Sequence, residues 1–257
     1  MNIKIESSAN PVCKQVKKLQ TRAGRTKHSQ YLAEGVRAVA DAVKNGADVE
    51  YIVLCEGSPL PCDAQGIKVY ELSNSLFDEL KLTVNSQGVL AVINYSLPDS
   101  YAMDTTGMNT IVYLDSVTDP GNMGTIIRSC DALGADAIIL SKGCVDIFNP
   151  KVVRSSMASL FNVPIFSDSS SADTLTRLSS KGFLIAGTFP RDAESICNTD
   201  FPQKNVIVMG NEANGISDDV EVLCTKRVTI PMKGKSESLN VATALTVVLY
   251  EIMRNKR

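Results

Sequence analysis

The 257-residue sequence predicts an α/β protein in two parts: a small N-terminal α/β unit and a larger C-terminal α/β unit with a parallel sheet. Three observations predict it. Short apolar runs of strand length recur along the chain, with helix-periodic stretches between many of them. In the C-terminal part these runs are apolar throughout rather than alternating, as expected of parallel strands covered on both faces. Between the two parts, LPDSYAMDTTGMN (97–109) has no periodicity and is rich in turn residues.

In the first part, EGVRAVADAVKN (34–45) has apolar residues at helical spacing and stops at Asn45-Gly46, a pair suited to a C-cap. YIVLC (51–55), IKVY (67–70) and GVLAVIN (88–94) read as strands, with SNSLFDEL (73–80) as a helix. The domains therefore run 1–98 and 110–257, with 99–109 as linker. In the second part, strands are expected at 110–115, 135–140, 163–166, 182–187, 205–209 and 227–230. Helices are expected near 122–133, 149–160 and 171–180, and from about 238 to 254.

Composition excludes several classes. No apolar run reaches the ~18 residues of a membrane helix, and the N-terminus lacks a signal-peptide core. Seven cysteines without a C-x-x-C pair suggest a reduced, cytoplasmic setting. A single histidine, His28, excludes a histidine-cluster metal site, and no metal is expected. The net charge of −2 is unevenly spread. Residues 1–30 hold Lys4, Lys14, Lys17, Lys18, Arg22, Arg25 and Lys27 against Glu6, a surplus of six, so residues 31–257 carry −8. A basic arm on an acidic body suggests phosphate contacts, although a solvated helix face explains the charge equally well.

Three loops are rich in Gly, Asn and small polar residues. The first, within DSVTDPGNMGTIIRSCDALGA (115–135), has Gly121 and Gly124 opening a helix with Arg128 one turn inside. Such a turn exposes backbone N–H groups to an anion or nucleotide, or is simply tight. G-x-G-x-x-G is absent, which argues against a dinucleotide oxidoreductase. The second, VMGNEANGIS (208–217), places Gly210 and Glu212 directly after an apolar strand. The third lies in IPMKGKSESLNVATALTVVLYEIMR (230–254). Its GKS is not a P-loop, since Thr229 stands where Walker A needs glycine.

Together and in this order, DPGNMGTIIRSCDALGA, VIVMGNEANGIS and IPMKGKSESLNVATALTVVLYE resemble the three motifs of the SpoU (TrmH-like) ribose methyltransferases of the SPOUT superfamily. GTFP (187–190) joins the resemblance, which covers 110–254. NPVCKQVKKL and YLAEGVRAVADAV look like that family's RNA-substrate-binding domain. The resemblance implies a trefoil knot, a homodimer, S-adenosylmethionine as methyl donor, and a ribose 2′-hydroxyl in structured RNA as acceptor. Ribosomal RNA is expected ahead of transfer RNA, because the full N-terminal domain resembles the ribosomal branch. By resemblance, the backbones of Gly210, Ile230 and Leu239 hold the donor and Thr188 lies beside its adenine. Arg128 matches the catalytic arginine, with Asn122, Glu212, Ser238 and Asn240 around it. Lys14, Lys17, Lys18, Arg22, Arg25 and Lys27 are the expected RNA-binding residues. A relative that binds RNA but has lost catalysis is a rival reading, and the intact Asn122, Arg128, Glu212 and Asn240 set argues against it. A guanidinium does not deprotonate in a protein. Arg128 is therefore expected to stabilise a developing alkoxide, with Glu212, an RNA phosphate or water taking the proton.

Overall fold

A computed structural model describes residues 2–255. They form two compact units: residues up to 96 together with 146–161, and residues 97–145 together with those from 162 onward.

The first unit begins with β1 (Ile3–Ile5), α1 (Pro11–Leu19), α2 (Arg22–His28), β2 (Gln30–Glu34) and α3 (Val36–Lys44). It continues with β3 (Val49–Cys55), β4 (Lys68–Leu72), α4 (Asn74–Asp78) and β5 (Val89–Asn94). The mixed sheet has the order β1-β4-β3-β5-β2, with β5 antiparallel to both neighbours. β3, β4, β5 and α4 fall where the apolar runs predict. α1, α2, β1 and β2 are additions. The Asn10 side chain caps α1 by accepting from Val12 N at 2.9 Å, with Pro11 in the first turn. Cys13, Val16 and Leu19 point into the core, leaving Lys14, Lys17 and Lys18 exposed. The expected helix start at Glu34 is instead the end of β2. Gly35, at φ +109°, makes the turn between them, a backbone angle that L side chains rarely adopt.

The second unit contains β6 (Thr110–Leu114), α5 (Pro120–Leu133) and β7 (Ala137–Leu140). The chain then passes through α6 (Pro150–Ser155), which packs with the first unit. Back in the second unit come β8 (Ile165–Ser167), α7 (Ser171–Ser180), β9 (Leu184–Thr188) and β10 (Glu194–Ser195). β11 (Asn205–Met209), α8 (Asp218–Glu221), β12 (Lys226–Thr229) and α9 (Val241–Asn255) complete it. All seven strands are parallel, in the order β10-β12-β9-β11-β6-β7-β8. Every residue of β6 and β11 is buried, as expected for central strands covered on both faces. From β6 the chain steps outward through β7 to β8, then returns to the other side, where β11 enters between β9 and β6. Such a reversal opens a crevice beyond the carboxyl ends of the strands.

The helix expected at 149–160 is interrupted. α6 ends at Ser155, and Met157 and Ala158 both take left-handed backbone angles, φ 51° and 72°. Within the first unit, the Phe148 ring stacks on Tyr95 with centroids 3.8 Å apart. Asp146 accepts from Nε and Nη2 of Arg25 at 2.8 and 2.7 Å. None of the helices among the described residues is long and apolar enough to cross a membrane.

Candidate active site

The three loops converge at the carboxyl ends of β6, β9, β11 and β12, wholly within the second unit. The sequence dictates much of this locally. Asp119 precedes Pro120, and its side chain accepts from Asn122 N at 2.8 Å, capping α5. Gly210 lets two backbones meet: a Cβ there would lie 2.1 Å from the Gly215 carbonyl carbon. The loop it begins is closed by reciprocal backbone bonds between Asn211 and Gly215, at 2.8 and 2.9 Å.

A chain of hydrogen bonds joins the loops. Glu212 accepts from Thr118 N (3.2 Å), Thr118 Oγ1 (3.1 Å), Asp119 N (3.0 Å) and Asn122 Nδ2 (3.0 Å). Asn122 Oδ1 accepts from Asn240 Nδ2 at 2.8 Å. Asn240 Oδ1 accepts from Ala242 N and Thr243 N, at 3.0 and 3.3 Å, at the start of α9. Both amide orientations follow from the ends of this chain, because a carboxylate only accepts and a backbone N–H only donates. Desolvation pushes the Glu212 carboxyl upward, but bonds from Asn122 and from the Asp119 and Thr118 backbone outweigh it, holding the pKa at about 2. Glu212 is thus a clamp on the α5 entry loop and a poor proton acceptor.

The crevice is a cleft of about 440 Å³. Thr188, Gly210, Glu212, Ile230, Ser238, Leu239 and Asn240, all expected site residues, line it. Thr188 Oγ1 donates to the Val208 carbonyl at 3.0 Å, tying the ends of β9 and β11. Asn122 reaches the cleft through Glu212 and Asn240. Arg128 is exposed on α5 and is not among the lining residues. It lies six residues beyond Asn122, about 9 Å further along the helix axis.

Three supports escaped the sequence reading. Buried Asp115, at the end of β6, accepts from Ser217 N at 2.8 Å and so holds the far end of the Gly210 loop. Asn211 Nδ2 donates to the Ser116 carbonyl at 2.8 Å. The Arg227 guanidinium lies 3.7 Å from the centroid of the Phe189 ring and is ion-paired with Glu221, bracing the GTFP turn. An acid ending a wholly apolar strand was a usable signal for Asp115. The other two depend on long-range contacts.

The expected RNA-binding residues divide. In the first unit Lys14, Lys18, Arg22 and Lys27 are exposed, and Lys17 pairs with Glu79 at 2.6 Å. Arg25 departs from expectation. It is 3% exposed, bonded to Asp146 and donating to the Leu19 and Gln20 carbonyls at 3.0 and 3.1 Å. It braces the α1–α2 corner and presents no charge to a phosphate.

The lining of the cleft suits S-adenosylmethionine in its chemistry. Ile230, Leu239, Met209 and Val241 supply apolar walls for an adenine. Among the described residues, Glu212 and Glu237 are its charged lining residues and no lysine or arginine lines it, which suits a cation. Among the described residues, no group of three or more His, Cys, Asp or Glu side chains could hold a metal ion.

Known protein families match parts of both units. Residues 109–250 match the SpoU rRNA Methylase family, and residues 10–91 match the MRM3-like substrate binding domain. The chain is 31% identical to the 23S rRNA (guanosine(2553)-2′-O)-methyltransferase RlmP of Bacillus subtilis (strain 168), over 96% of this chain and 98% of that protein. It is also 31% identical to the 23S rRNA (uridine(2479)-2′-O)-methyltransferase of Streptomyces viridochromogenes, over 93% and 87%. The crystal structure of an AdoMet-bound rRNA methyltransferase from Sinorhizobium meliloti superposes with TM-score 0.87 at 28% identity, covering 98% of this chain and 97% of that one.

Proposed function

The chain belongs to the SpoU rRNA methylase family, and on that premise we propose that it transfers a methyl group from S-adenosylmethionine to a ribose 2′-hydroxyl of large-subunit ribosomal RNA. One observation carries the substrate assignment: the likeness to two 23S rRNA 2′-O-methyltransferases runs through both units, not the catalytic one alone. Mapping 2′-O-methyl positions in total RNA from cells with and without the gene tests it. A missing mark in 23S rRNA is expected; a missing mark confined to transfer RNA overturns the choice of substrate.

The donor supplies an electrophilic methyl whose leaving group is a neutral thioether, so the chain's task is to bind, orient and ready the hydroxyl. Asn122 and Asn240 present a fixed amide pair beside the cleft, with Glu212 locking the α5 loop against them. Arg128 stabilises the charge growing on the ribose oxygen and grips the neighbouring phosphate. With the Glu212 oxygens already engaged by Thr118, Asp119 and Asn122, the proton passes to an RNA phosphate or water.

In this reading the second unit is a trefoil knot, one of the rare exceptions to unthreaded chains. The protein works as a cytoplasmic homodimer. Tyr250 and Leu239, both exposed at or beside α9, contribute to the dimer surface. Arg128 lies outside its own chain's cleft, and in the dimer it serves the cleft of the second copy.

A further inference from the structure

The two carboxylates lining the cleft differ in their freedom. Glu212 is held by backbone and side-chain donors from the α5 entry loop. Glu237 sits in the exposed loop 231–240, its side chain 82% exposed. Its ion-pair partner is Arg191, at 3.4 Å, in the loop following β9. The pair therefore bridges two of the loops around the cleft. Exposed pairs of this kind contribute little stability, so exchanging the partner costs little. A cation bound against the apolar walls meets this carboxylate through partly screened solvent, an attraction that is modest and that salt weakens.

We infer that Glu237 is a specificity-determining residue that separates the cationic methyl donor from its neutral thioether product, by turning from Arg191 toward the sulfonium. The inference rests on the cofactor assigned above. Donor and product share the adenosine and the amino-acid tail and differ in the sulfonium methyl and its charge. Shape contacts along the Ile230 and Leu239 walls hold both alike, whereas an exposed carboxylate at the cleft favours the charged one and eases departure of the spent one.

The test is calorimetric titration of S-adenosylmethionine and S-adenosylhomocysteine into the full-length wild type, Glu237→Gln and Arg191→Ala, at low and high salt, with melting temperatures measured alongside. Glu237→Gln is expected to weaken donor binding about three- to fivefold and to change product binding by less than about twofold, with the loss shrinking at high salt. Arg191→Ala, which frees the carboxylate, is expected to leave the donor bound at least as tightly. Equal weakening of both ligands by Glu237→Gln marks a merely structural loop role and overturns the inference, as does no change in either. A wild type that binds neither ligand overturns the cofactor assignment as well, so the two failures are distinguishable.

Discussion

Asn240 donates through Nδ2 to Asn122 Oδ1 at 2.8 Å, joining the start of α9 to the first turn of α5. Because Asn122 also donates to Glu212, one amide carries the connection among all three loops. Asn122→Ala and Asn240→Ala should therefore not act independently. A double-mutant cycle on single-turnover methyl transfer should give a coupling of about 0.5–3 kcal/mol, the range for residues in one hydrogen-bond network. Additive effects would show that the two amides act separately.

Glu212 yields a prediction in pH. Its folded pKa lies below the ordinary 4.5, at about 2. The stability it contributes is therefore complete above about 4.5 and is lost as pH falls through about 2. No ionisation of Glu212 should appear in kcat/KM between pH 5 and 9. Glu212→Gln should reduce activity by loosening the α5 entry loop, without removing an acidic limb from the profile. An acidic limb near pH 6 that disappears in Glu212→Gln would restore the carboxylate as the base.

Arg128→Ala should leave S-adenosylmethionine affinity unchanged while catalysis falls by about two to three orders of magnitude, the usual loss of a preorganised oxyanion donor. Arg128→Lys should recover only part of that, lacking the planar fork. Gly210→Ala should abolish donor binding, since the added methyl meets the Gly215 backbone. In the proposed homodimer, with Arg128 serving the second copy's cleft, co-expressing the two inactive chains should restore about a quarter of wild-type activity, because half the pairs would be mixed and each mixed pair would have one intact site. No restoration would mean that each chain uses its own Arg128.

On the first unit, the charges divide by burial. Neutralising Lys14, Lys18 and Arg22 together should weaken RNA binding and make its salt dependence shallower. The slope of log affinity against log salt should fall by about 0.7–0.9 for each phosphate no longer neutralised. Arg25→Ala should act differently. It leaves Asp146 without its buried partner and should cost about 3–5 kcal/mol of stability. Urea denaturation beside filter-binding measurements tells these apart; an Arg25→Ala protein of normal stability with weakened RNA binding would reverse the assignment.

The parallel strands were legible because TIVYL and NVIVM are apolar on both faces, which solvent-facing strands do not tolerate. β2 was not, because YLAE runs directly into EGVRAVAD and the helical period overrides the strand until Gly35 turns the chain. α1 was hidden by its lysines, since the same nine residues hold a buried Cys13, Val16 and Leu19 stripe. The polar residues of the three loops could be gathered from the motifs, but not the hydrogen bonds that join them. Whether Glu212 takes a proton or clamps a loop depends on donors 90 to 94 residues away. Arg25 likewise reads as one basic residue among seven until its partner, 121 residues on, is seen.

The packing of residues 146–161 against the first unit has a consequence for synthesis. A domain formed from one continuous stretch can close as soon as its last residue leaves the ribosome. This one cannot, because Phe148 and Asp146, which complete the surroundings of Tyr95 and Arg25, emerge some fifty residues after Tyr95. The nascent first unit therefore waits, with Arg25 still without Asp146, while β6, α5 and β7 are being made. Cutting the gene between the halves would leave each product with an exposed seam, so limited proteolysis of stalled nascent chains should find α2 protected only once residue 161 has cleared the exit tunnel.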